Sequence, residues 1–235
     1  MIIAIDGPAG SGKSTVAKQV ARKLGFSYLD TGAMYRAVTF RALQQRLDVS
    51  DEQAVAAIAR SEKIEFGYQP GEALPSNVFI NGEDVTSQIR TPLVDAHVSA
   101  VSALSEVRAA LVAQQREFGC EHDTVMEGRD IGTVVFPQAE LKIFLTARPE
   151  VRALRRVRQN VSRKGKVAVE YAVIDSTDEK QVLDDILRRD CEDGTRELSP
   201  LIAATDSIEI DSTDMQLRQV VARIVDLASS RRVEE

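Results

Sequence analysis

Apolar and polar positions along the chain follow the order expected when strands alternate with helices. Residues 2–5 form a short apolar run that stops at a glycine-rich segment, which is typical of a strand buried on both faces. Residues 13–24 carry apolar side chains at four-residue spacing and stop at Gly25, which predicts an amphipathic helix with a glycine C-cap.

The same two patterns recur through the rest of the chain. Further strands are predicted at residues 26–29, 124–126, 141–145 and 207–210. Further helices are predicted at residues 33–47, 52–59 and 92 to about 117. The alternation predicts an α/β fold with a parallel β-sheet flanked by helices, and a ligand site at the carboxyl ends of its strands.

The pattern changes between residues 62 and 87. Polar and apolar residues alternate there, and glycines and prolines interrupt them, which predicts a small antiparallel β subdomain with a type I′ turn at Asn81-Gly82. We expect this segment to be an insertion, so that residues 1–61 and 88–235 form the core.

Three helix starts have capping signals. Residues 50–53 have the pattern of a capping box, and so do Thr213 and Gln216. Thr91 has the position of an N-cap, with Pro92 as the first helical residue. The helix that begins at Pro92 is expected to continue unbroken to about Glu117.

Composition narrows the class of protein. The 235 residues include 43% hydrophobic residues, which is enough for a sizeable core, and the formal charge of −6 argues against general affinity for nucleic acids or membrane surfaces. Cys120 and Cys191 have neither metal-ligand nor disulfide-framework spacing, and the N-terminus lacks an export signal. We therefore expect a cytoplasmic monomer that binds neither membranes nor nucleic acids.

The segment GPAGSGKS, at residues 7–14, matches the phosphate-binding pattern G-x-x-x-x-G-K-[ST] and lies between a predicted strand and a predicted helix. Backbone N–H groups of such a loop wrap a polyphosphate, the lysine reaches its outer phosphates, and the serine hydroxyl binds Mg²⁺. The sequence therefore predicts binding of a nucleoside triphosphate with Mg²⁺ by Gly7, Pro8, Ala9, Gly10, Ser11, Gly12, Lys13, Ser14 and Thr15, with Ser14 as the metal ligand.

A strongly basic segment follows at about residues 148–166, with eight basic residues and one acid, Glu150. Like charges on successive helical turns repel each other unless anions lie between them. The segment is typical of a helical lid that closes over phosphates, although a solvated helix face or a nucleic-acid patch has the same composition.

Charged residues also interrupt the apolar segment VMEGRDIGTVVF at residues 125–136. Burying Glu127, Arg129 and Asp130 in a strand would be costly unless they are paired or bind a ligand. The segment therefore reads as a strand end, a glycine-containing turn and a return to the core, with its charges directed at a partner.

Four segments follow the P-loop in a characteristic order: DTGAMYR at 30–36, IRT at 89–91, EGRDIGTVVFP at 127–137 and RDCEDGTR at 189–196. Together they resemble the bacterial cytidylate kinases, a family of nucleoside monophosphate kinases, and the resemblance covers nearly the whole chain. It implies a P-loop kinase core that transfers the γ-phosphoryl group of ATP to CMP or dCMP.

The resemblance also implies individual roles. The acceptor phosphate would be held by Thr31, Arg36, Arg129 and Arg196. The cytosine would be read by Ser99, Arg108 and Asp130, and the sugar held by Arg189 and Asp193. The lid would use Arg152, Arg155, Arg156 and Arg158 toward ATP. The groups expected to act in catalysis are Lys13, Arg129, Arg155 and Arg158.

Some of these positions have other interpretations. Arg189 and Asp193 could form an ordinary exposed i,i+4 ion pair. Ser99 and Arg108 are nine residues apart, so we expect both to lie on one broad face of the predicted long helix. The family usually has aspartate where this chain has Glu127, which could hold a water on Mg²⁺, restrain Arg129 or form a structural ion pair. A kinase for another nucleoside monophosphate and an ATP-binding regulatory module are the alternative functions.

Overall fold

A five-stranded parallel sheet lies at the centre of the structure, a computed structural model that describes residues 1–69, 71–164 and 176–233. Its strands are β1 (Ile2–Asp6), β2 (Ser27–Asp30), β6 (Thr124–Glu127), β7 (Leu141–Thr146) and β8 (Ile208–Asp211). They lie in the order β2-β6-β1-β7-β8, and every neighbouring pair is parallel. The predicted parallel sheet is confirmed.

Helices cover both faces of this sheet. They are α1 (Lys13–Leu24), α2 (Thr31–Gln44), α3 (Glu52–Ser61), α4 (Pro92–Ala103), α5 (Ser105–Glu121), α6 (Pro149–Lys164), α7 (Ser176–Gly194) and α8 (Leu217–Val233). On one face, Val20 of α1 and Ile224 of α8 belong to one buried cluster; on the other, Val38 of α2 and Leu111 of α5 belong to a second. Because β1 is buried on both faces, residues 2–5 are apolar without alternation, and only its last residue, Asp6, is charged.

A separate antiparallel sheet contains β3 (Ile64–Tyr68), β4 (Pro75–Ile80) and β5 (Glu83–Asp84). Asn81 and Gly82 connect β4 to β5 with φ angles of 48° and 81°, which confirms the two-residue turn with positive φ at both positions. The Tyr68 hydroxyl donates to the carbonyl oxygen of Tyr28 at 2.7 Å and links this sheet to the core. The division into domains at residues 62 and 87 stays a prediction.

The prediction of one long helix after Thr91 is wrong. The chain bends by 94° between α4 and α5, at Leu104, whose ψ of 122° is extended. Glu52 of α3 explains the break, because its Oε1 accepts from the Ser105 hydroxyl at 2.7 Å and from the Glu106 N–H at 3.0 Å. This carboxylate satisfies the start of α5 in place of a preceding helical turn.

The three predicted caps have different outcomes. Thr91 caps α4 as predicted, since its hydroxyl accepts from the Val94 N–H. The cap of α3 is Asp51 rather than Ser50, because the Asp51 carboxylate accepts from the Ala54 N–H. Thr213 does not cap α8, which begins at Leu217; its hydroxyl accepts from the N–H of Arg148 instead.

The predicted lid corresponds to α6, followed after a gap by α7. Its last two predicted residues, 165 and 166, lie outside the described residues. No helix in the described part of the chain is by itself both long and apolar enough to span a membrane. Taken together, α4 and α5 are long and apolar enough, but the chain bends by 94° between them.

Candidate active site

The P-loop connects β1 to α1 at the carboxyl end of the central strand. Gly7, Gly10 and Gly12 have φ angles of 146°, 76° and 95°, which side chains rarely adopt. At Gly7 a Cβ atom would also lie 2.1 Å from the carbonyl oxygen of Leu145 in β7. The loop therefore needs glycine both for its backbone conformation and for its close approach to the sheet.

Lys13 is buried at the start of α1, and its Nζ donates to the carbonyl oxygen of Pro8 at 2.8 Å. Burial, together with the nearby guanidinium of Arg129, lowers the pKa of Lys13 to about 7, against the opposing effect of Glu127. An ammonium held this way is poorly solvated, and it gains most from an incoming anion.

Glu127, at the end of β6, faces the P-loop. Its Oε2 accepts from the Ser14 hydroxyl at 2.9 Å, and its Oε1 accepts from the Tyr28 hydroxyl. Burial and the neighbouring Asp30 raise the pKa of Glu127, against Lys13 and the two hydroxyl donors. Of the interpretations offered by the sequence, this geometry favours a role beside Ser14, since the partner of Arg129 is Asp193.

A cleft of about 740 Å³ runs from the P-loop toward α4, α5 and α7. All nine predicted substrate-binding residues line it, and they come from α2, α4, α5, the turn after β6, and α7 with the segment that follows it. The lining includes Thr31, Arg36, Ser99, Arg108, Arg129, Asp130, Arg189, Asp193 and Arg196. The fold thus brings together every residue assigned to the acceptor.

The three arginines assigned to the acceptor phosphate are ion-paired. Arg129 Nε lies 2.9 Å from Asp193 Oδ2, and Arg196 Nη2 lies 2.6 Å from Asp193 Oδ1. Arg36 Nη1 lies 2.5 Å from Asp95 Oδ1. Asp193 does not form the alternative i,i+4 pair with Arg189 but neutralises two guanidiniums in the cleft. The Thr31 hydroxyl donates to the carbonyl oxygen of Glu127 at 2.7 Å.

Arg108 and Asp130 form a buried ion pair at the base of the cleft, although they come from α5 and from the turn after β6. The Arg108 guanidinium also donates to the Ser102 carbonyl oxygen at 3.2 Å and lies 5.6 Å from the centre of the Tyr35 ring. Ser99 lies on α4, so the prediction that Ser99 and Arg108 share one helix face is wrong. The bend nevertheless brings both to the same cleft.

The four lid arginines have different surroundings. Arg152 is buried and donates to the Ala9 carbonyl oxygen at 2.9 Å while pairing with Asp190 at 2.6 Å, so it supports the P-loop from outside the cleft. Arg155 lines the cleft and donates to the carbonyl oxygens of Ser11 and Ser212 at 3.3 and 2.7 Å.

Of the other two lid arginines, Arg156 lines the cleft with its Nη2 3.3 Å from Asp95 Oδ2. Arg158 is exposed and does not line the cleft. Among the lid arginines assigned to catalysis, the geometry therefore favours Arg155 over Arg158.

Asp6, the last residue of β1, is a buried residue that the sequence reasoning missed. Its two carboxylate oxygens accept from the N–H groups of Ile131 and Gly132 at 2.9 and 2.8 Å. These donors begin a short helical turn at Ile131–Val135, directly after Arg129 and Asp130. Burial raises the pKa of Asp6 to about 6, although both hydrogen bonds oppose the shift. The sequence offered one signal for this role, since Asp6 directly precedes Gly7, the first residue of the P-loop.

Asp95 and Tyr28 were also missed. Burial disfavours ionisation of Asp95, but the guanidiniums of Arg36, Arg156 and Arg189 outweigh it and lower the pKa of the carboxyl. Neither residue belongs to a recognisable motif, and each meets its partners only through the tertiary fold.

The fold and the cleft define a P-loop protein with an anion-binding cleft, because a phosphate-binding loop faces a cluster of guanidinium groups at the carboxyl ends of a parallel sheet. A profile of the cytidylate kinase family matches residues 3–230. The chain belongs to the cytidylate kinase family, which confirms the resemblance seen in the sequence.

Individual relatives agree with this assignment. A cytidylate kinase of Lactiplantibacillus plantarum is 48% identical over 229 residues, which are 97% of this chain and 95% of that protein. A bifunctional pantoate ligase/cytidylate kinase of Trichormus variabilis is 48% identical over 98% of this chain, which spans only 41% of that longer protein. The structure of an uncharacterized protein from Eubacterium ventriosum matches with a TM-score of 0.50 at 13% identity, over 98% of this chain and 99% of that one, and supports the fold alone.

The raised pKa of Asp6 predicts a pH dependence of stability. Between about pH 4 and 6 the folded protein keeps a proton on Asp6 that the unfolded chain releases, since the pKa is about 6 in the fold and 3.8 otherwise. Its contribution to the free energy of unfolding therefore falls as the pH rises, by at most about 1.4 kcal/mol per pH unit. Asp6→Asn removes this contribution.

Urea unfolding of the parent protein and Asp6→Asn at pH 4.5, 5.5 and 6.5 measures the effect. The difference in unfolding free energy between the two proteins should change across this range in favour of Asp6→Asn at higher pH. Parallel stability curves would show that Asp6 titrates in the fold as it does in the unfolded chain.

Proposed function

We propose that the protein transfers the γ-phosphoryl group of ATP to CMP and dCMP, giving ADP with CDP or dCDP. One observation carries the proposal: three arginines from distant parts of the chain, Arg36, Arg129 and Arg196, line the same cleft as the P-loop. Guanidinium clusters of this kind suit a phosphate that must be held in a fixed orientation. Family membership supplies the nucleotide class.

On the donor side, the backbone of residues 7–15 would hold the ATP phosphates, and Lys13 would leave the Pro8 carbonyl oxygen to reach them. Arg155 is the lid arginine best placed to join Lys13, because it lines the cleft beside Ser11. Phosphoryl transfer depends on alignment and charge neutralisation more than on covalent chemistry. These cations would therefore supply the main catalytic contribution on this side.

The oxygens of Ser14 and Glu127 fit Mg²⁺, because hydroxyl and carboxylate groups are the hard ligands that this cation prefers. Within the described residues, no group of three His, Cys, Asp or Glu side chains could hold a metal by itself. Mg²⁺ commonly binds through few protein ligands and the nucleotide phosphates. When bound, it would offset negative charge on those phosphates, with Ser14 as ligand and Glu127 orienting Ser14 or a metal-bound water.

On the acceptor side, Arg36, Arg129 and Arg196 would hold the monophosphate so that one of its oxygens faces the donor. Thr31 would add a hydroxyl at the start of α2. A phosphate oxygen is already ionised near neutral pH, so attack needs no general base. The ion pairs that these arginines make with Asp95 and Asp193 hold their guanidiniums in place in the cleft.

The Arg108–Asp130 pair would read the base. Cytosine offers an N4 amino donor beside the N3 and O2 acceptors, which match the Asp130 carboxylate and the Arg108 guanidinium. Uracil would turn O4 toward Asp130 and leave buried polar groups mismatched. Such a mismatch can lower kcat/KM for the wrong nucleotide by a large factor. Ser99 would assist at the base, while Arg189 and Asp193 would hold the sugar.

Cys120 and Cys191 are exposed free thiols, and thiols persist in reducing compartments, so we place the protein in the cytoplasm. The monomeric state and the lack of nucleic-acid binding stay predictions.

An acceptor panel tests the proposed function. ADP release from ATP–Mg²⁺ is measured with CMP, dCMP, UMP or AMP, and we expect the two cytosine nucleotides to have the highest kcat/KM, by at least about tenfold. Lys13→Ala is the control, and it should be slow with all four. Faster turnover of UMP or AMP would assign another acceptor, and ADP release independent of any acceptor would favour a regulatory ATPase.

Asp130→Asn should raise the KM for CMP by about tenfold or more while changing ATP binding less than twofold. An amide both donates and accepts, so it relaxes the base reading and leaves the buried Arg108 guanidinium without a carboxylate. The measurement compares kcat/KM for CMP and UMP with calorimetric binding of an ATP analogue. Equal losses for CMP and the ATP analogue would contradict a role in base recognition.

Glu127→Gln should raise the Mg²⁺ concentration needed for half-maximal turnover by about tenfold or more, because outer-shell carboxylates commonly contribute that much to metal sites. Mn²⁺ binding in the presence of ADP, followed by electron paramagnetic resonance, should weaken in parallel. Glu127→Asp keeps the charge and is the matched control, with a smaller effect. An unchanged metal requirement in Glu127→Gln would leave Glu127 a purely structural role.

A further inference from the structure

Asp95 lies in the first turn of α4, and guanidinium groups from three other helices surround it. Arg36 of α2 approaches its Oδ1 to 2.5 Å, and Arg156 of α6 approaches its Oδ2 to 3.3 Å. The Arg189 guanidinium, on α7, donates to the backbone carbonyl oxygen of Asp95 at 2.7 Å. A single residue thus contacts the acceptor side of the cleft, the lid helix and the helix that carries the proposed sugar ligands.

A first-turn acid is favourable at any helix N-terminus, but that role requires no arginine partners. The partners of Asp95 lie in the cleft, since Arg36, Arg156 and Arg189 all line it together with Asp95 itself. Guanidiniums directed at one cleft repel each other when no anion is between them. The Asp95 carboxylate provides that anion within the chain.

The position of this carboxylate has a consequence for the acceptor. Arg36 cannot give its full charge to the acceptor phosphate while it is held 2.5 Å from Asp95, and a dianionic phosphate beside Asp95 experiences repulsion. Both effects oppose binding of the acceptor. Asp193 differs from Asp95, because it is almost fully buried between Arg129 and Arg196 and has a proposed role at the sugar.

We propose that Asp95 is an internal counter-anion whose carboxylate holds Arg36 and Arg156 in the ligand-free protein and competes with the acceptor phosphate for Arg36. The proposal rests on the acceptor-site assignment made above. Asp95 lowers the affinity for CMP and so sets the concentration range in which the acceptor binds. It is an affinity-determining residue rather than a catalytic one, since it reacts with neither nucleotide.

Asp95→Asn removes the charge and keeps the size of the side chain. Calorimetric titration of the full chain with CMP alone should give a dissociation constant about threefold to tenfold lower than in the parent protein, the range expected for one partly exposed ion pair in the cleft. The ligand-free variant should also melt at a lower temperature, because its arginines repel, and CMP should raise that temperature by more than in the parent.

Glu106→Gln is the matched control. Glu106 lies in the first turn of the neighbouring helix α5 and pairs with Arg60 at 2.7 Å, outside the cleft. Glu106→Gln changes the net charge by the same amount as Asp95→Asn and should leave the affinity for CMP within twofold of the parent value. An equal gain in affinity in Glu106→Gln would trace the effect to overall charge and overturn the proposal.

Arg36→Lys tests the acceptor-phosphate assignment independently of the role proposed for Asp95. If Arg36→Lys leaves CMP affinity unchanged, the phosphate-site assignment fails, and the counter-anion role fails with it. If Arg36→Lys weakens binding but Asp95→Asn does not strengthen it, only the role of Asp95 fails. The proposal is supported if Asp95→Asn increases CMP affinity less in the Arg36→Lys background than in the parent protein. If Asp95→Asn folds poorly, Asp95→Ser must give the same increase in CMP affinity.

Discussion

The register between β1 and β6 is the constraint on which the rest of the site depends. Ile5 pairs with Glu127 across these parallel strands, so the P-loop after β1 and the charged turn after β6 emerge side by side. Asp6 fixes this relation by accepting two N–H groups of that turn. The P-loop and the charged turn are thus held by one pair of strands, at the carboxyl ends of the sheet, where α/β proteins bind their ligands.

Charge compensation is the second theme of the site. Four guanidiniums of the cleft lie against carboxylates: Arg36 against Asp95, Arg129 and Arg196 against Asp193, and Arg108 against Asp130. Desolvating a charge is costly unless it is paired, and pairing holds each guanidinium in a fixed orientation. The cleft is therefore preorganised for anions, and an anionic ligand exchanges partners with groups already in place.

Local sequence signals predicted much of this arrangement. The P-loop, the strand–helix alternation and the turn at Asn81-Gly82 rest on short-range physics, such as glycine at positive φ and buried apolar strands, and they could be read without the fold. The segments at 30–36, 127–137 and 189–196 were assigned together only through resemblance to a family. Their meeting in one cleft depends on topology.

Long-range contacts account for what the sequence did not show. Asp95 meets Arg189, and Glu127 meets Tyr28, across about a hundred residues of chain. The break at Leu104 depends on Glu52 in another helix, so the pattern of α4 and α5 alone reads as continuous. Side chains whose role is to position others carry no motif of their own.

That break also determines the shape of the acceptor cleft. In a straight helix, Ser99 and Arg108 would be about 13.5 Å apart along the axis, too far to contact the same small base from one side. The 94° bend turns the two helices into adjoining walls of one chamber. The dimensions of that chamber consequently depend also on a carboxylate of α3 that lies outside its lining. Under the proposed function, inherited or engineered changes in acceptor preference would therefore arise at Glu52 as well as in the cleft lining.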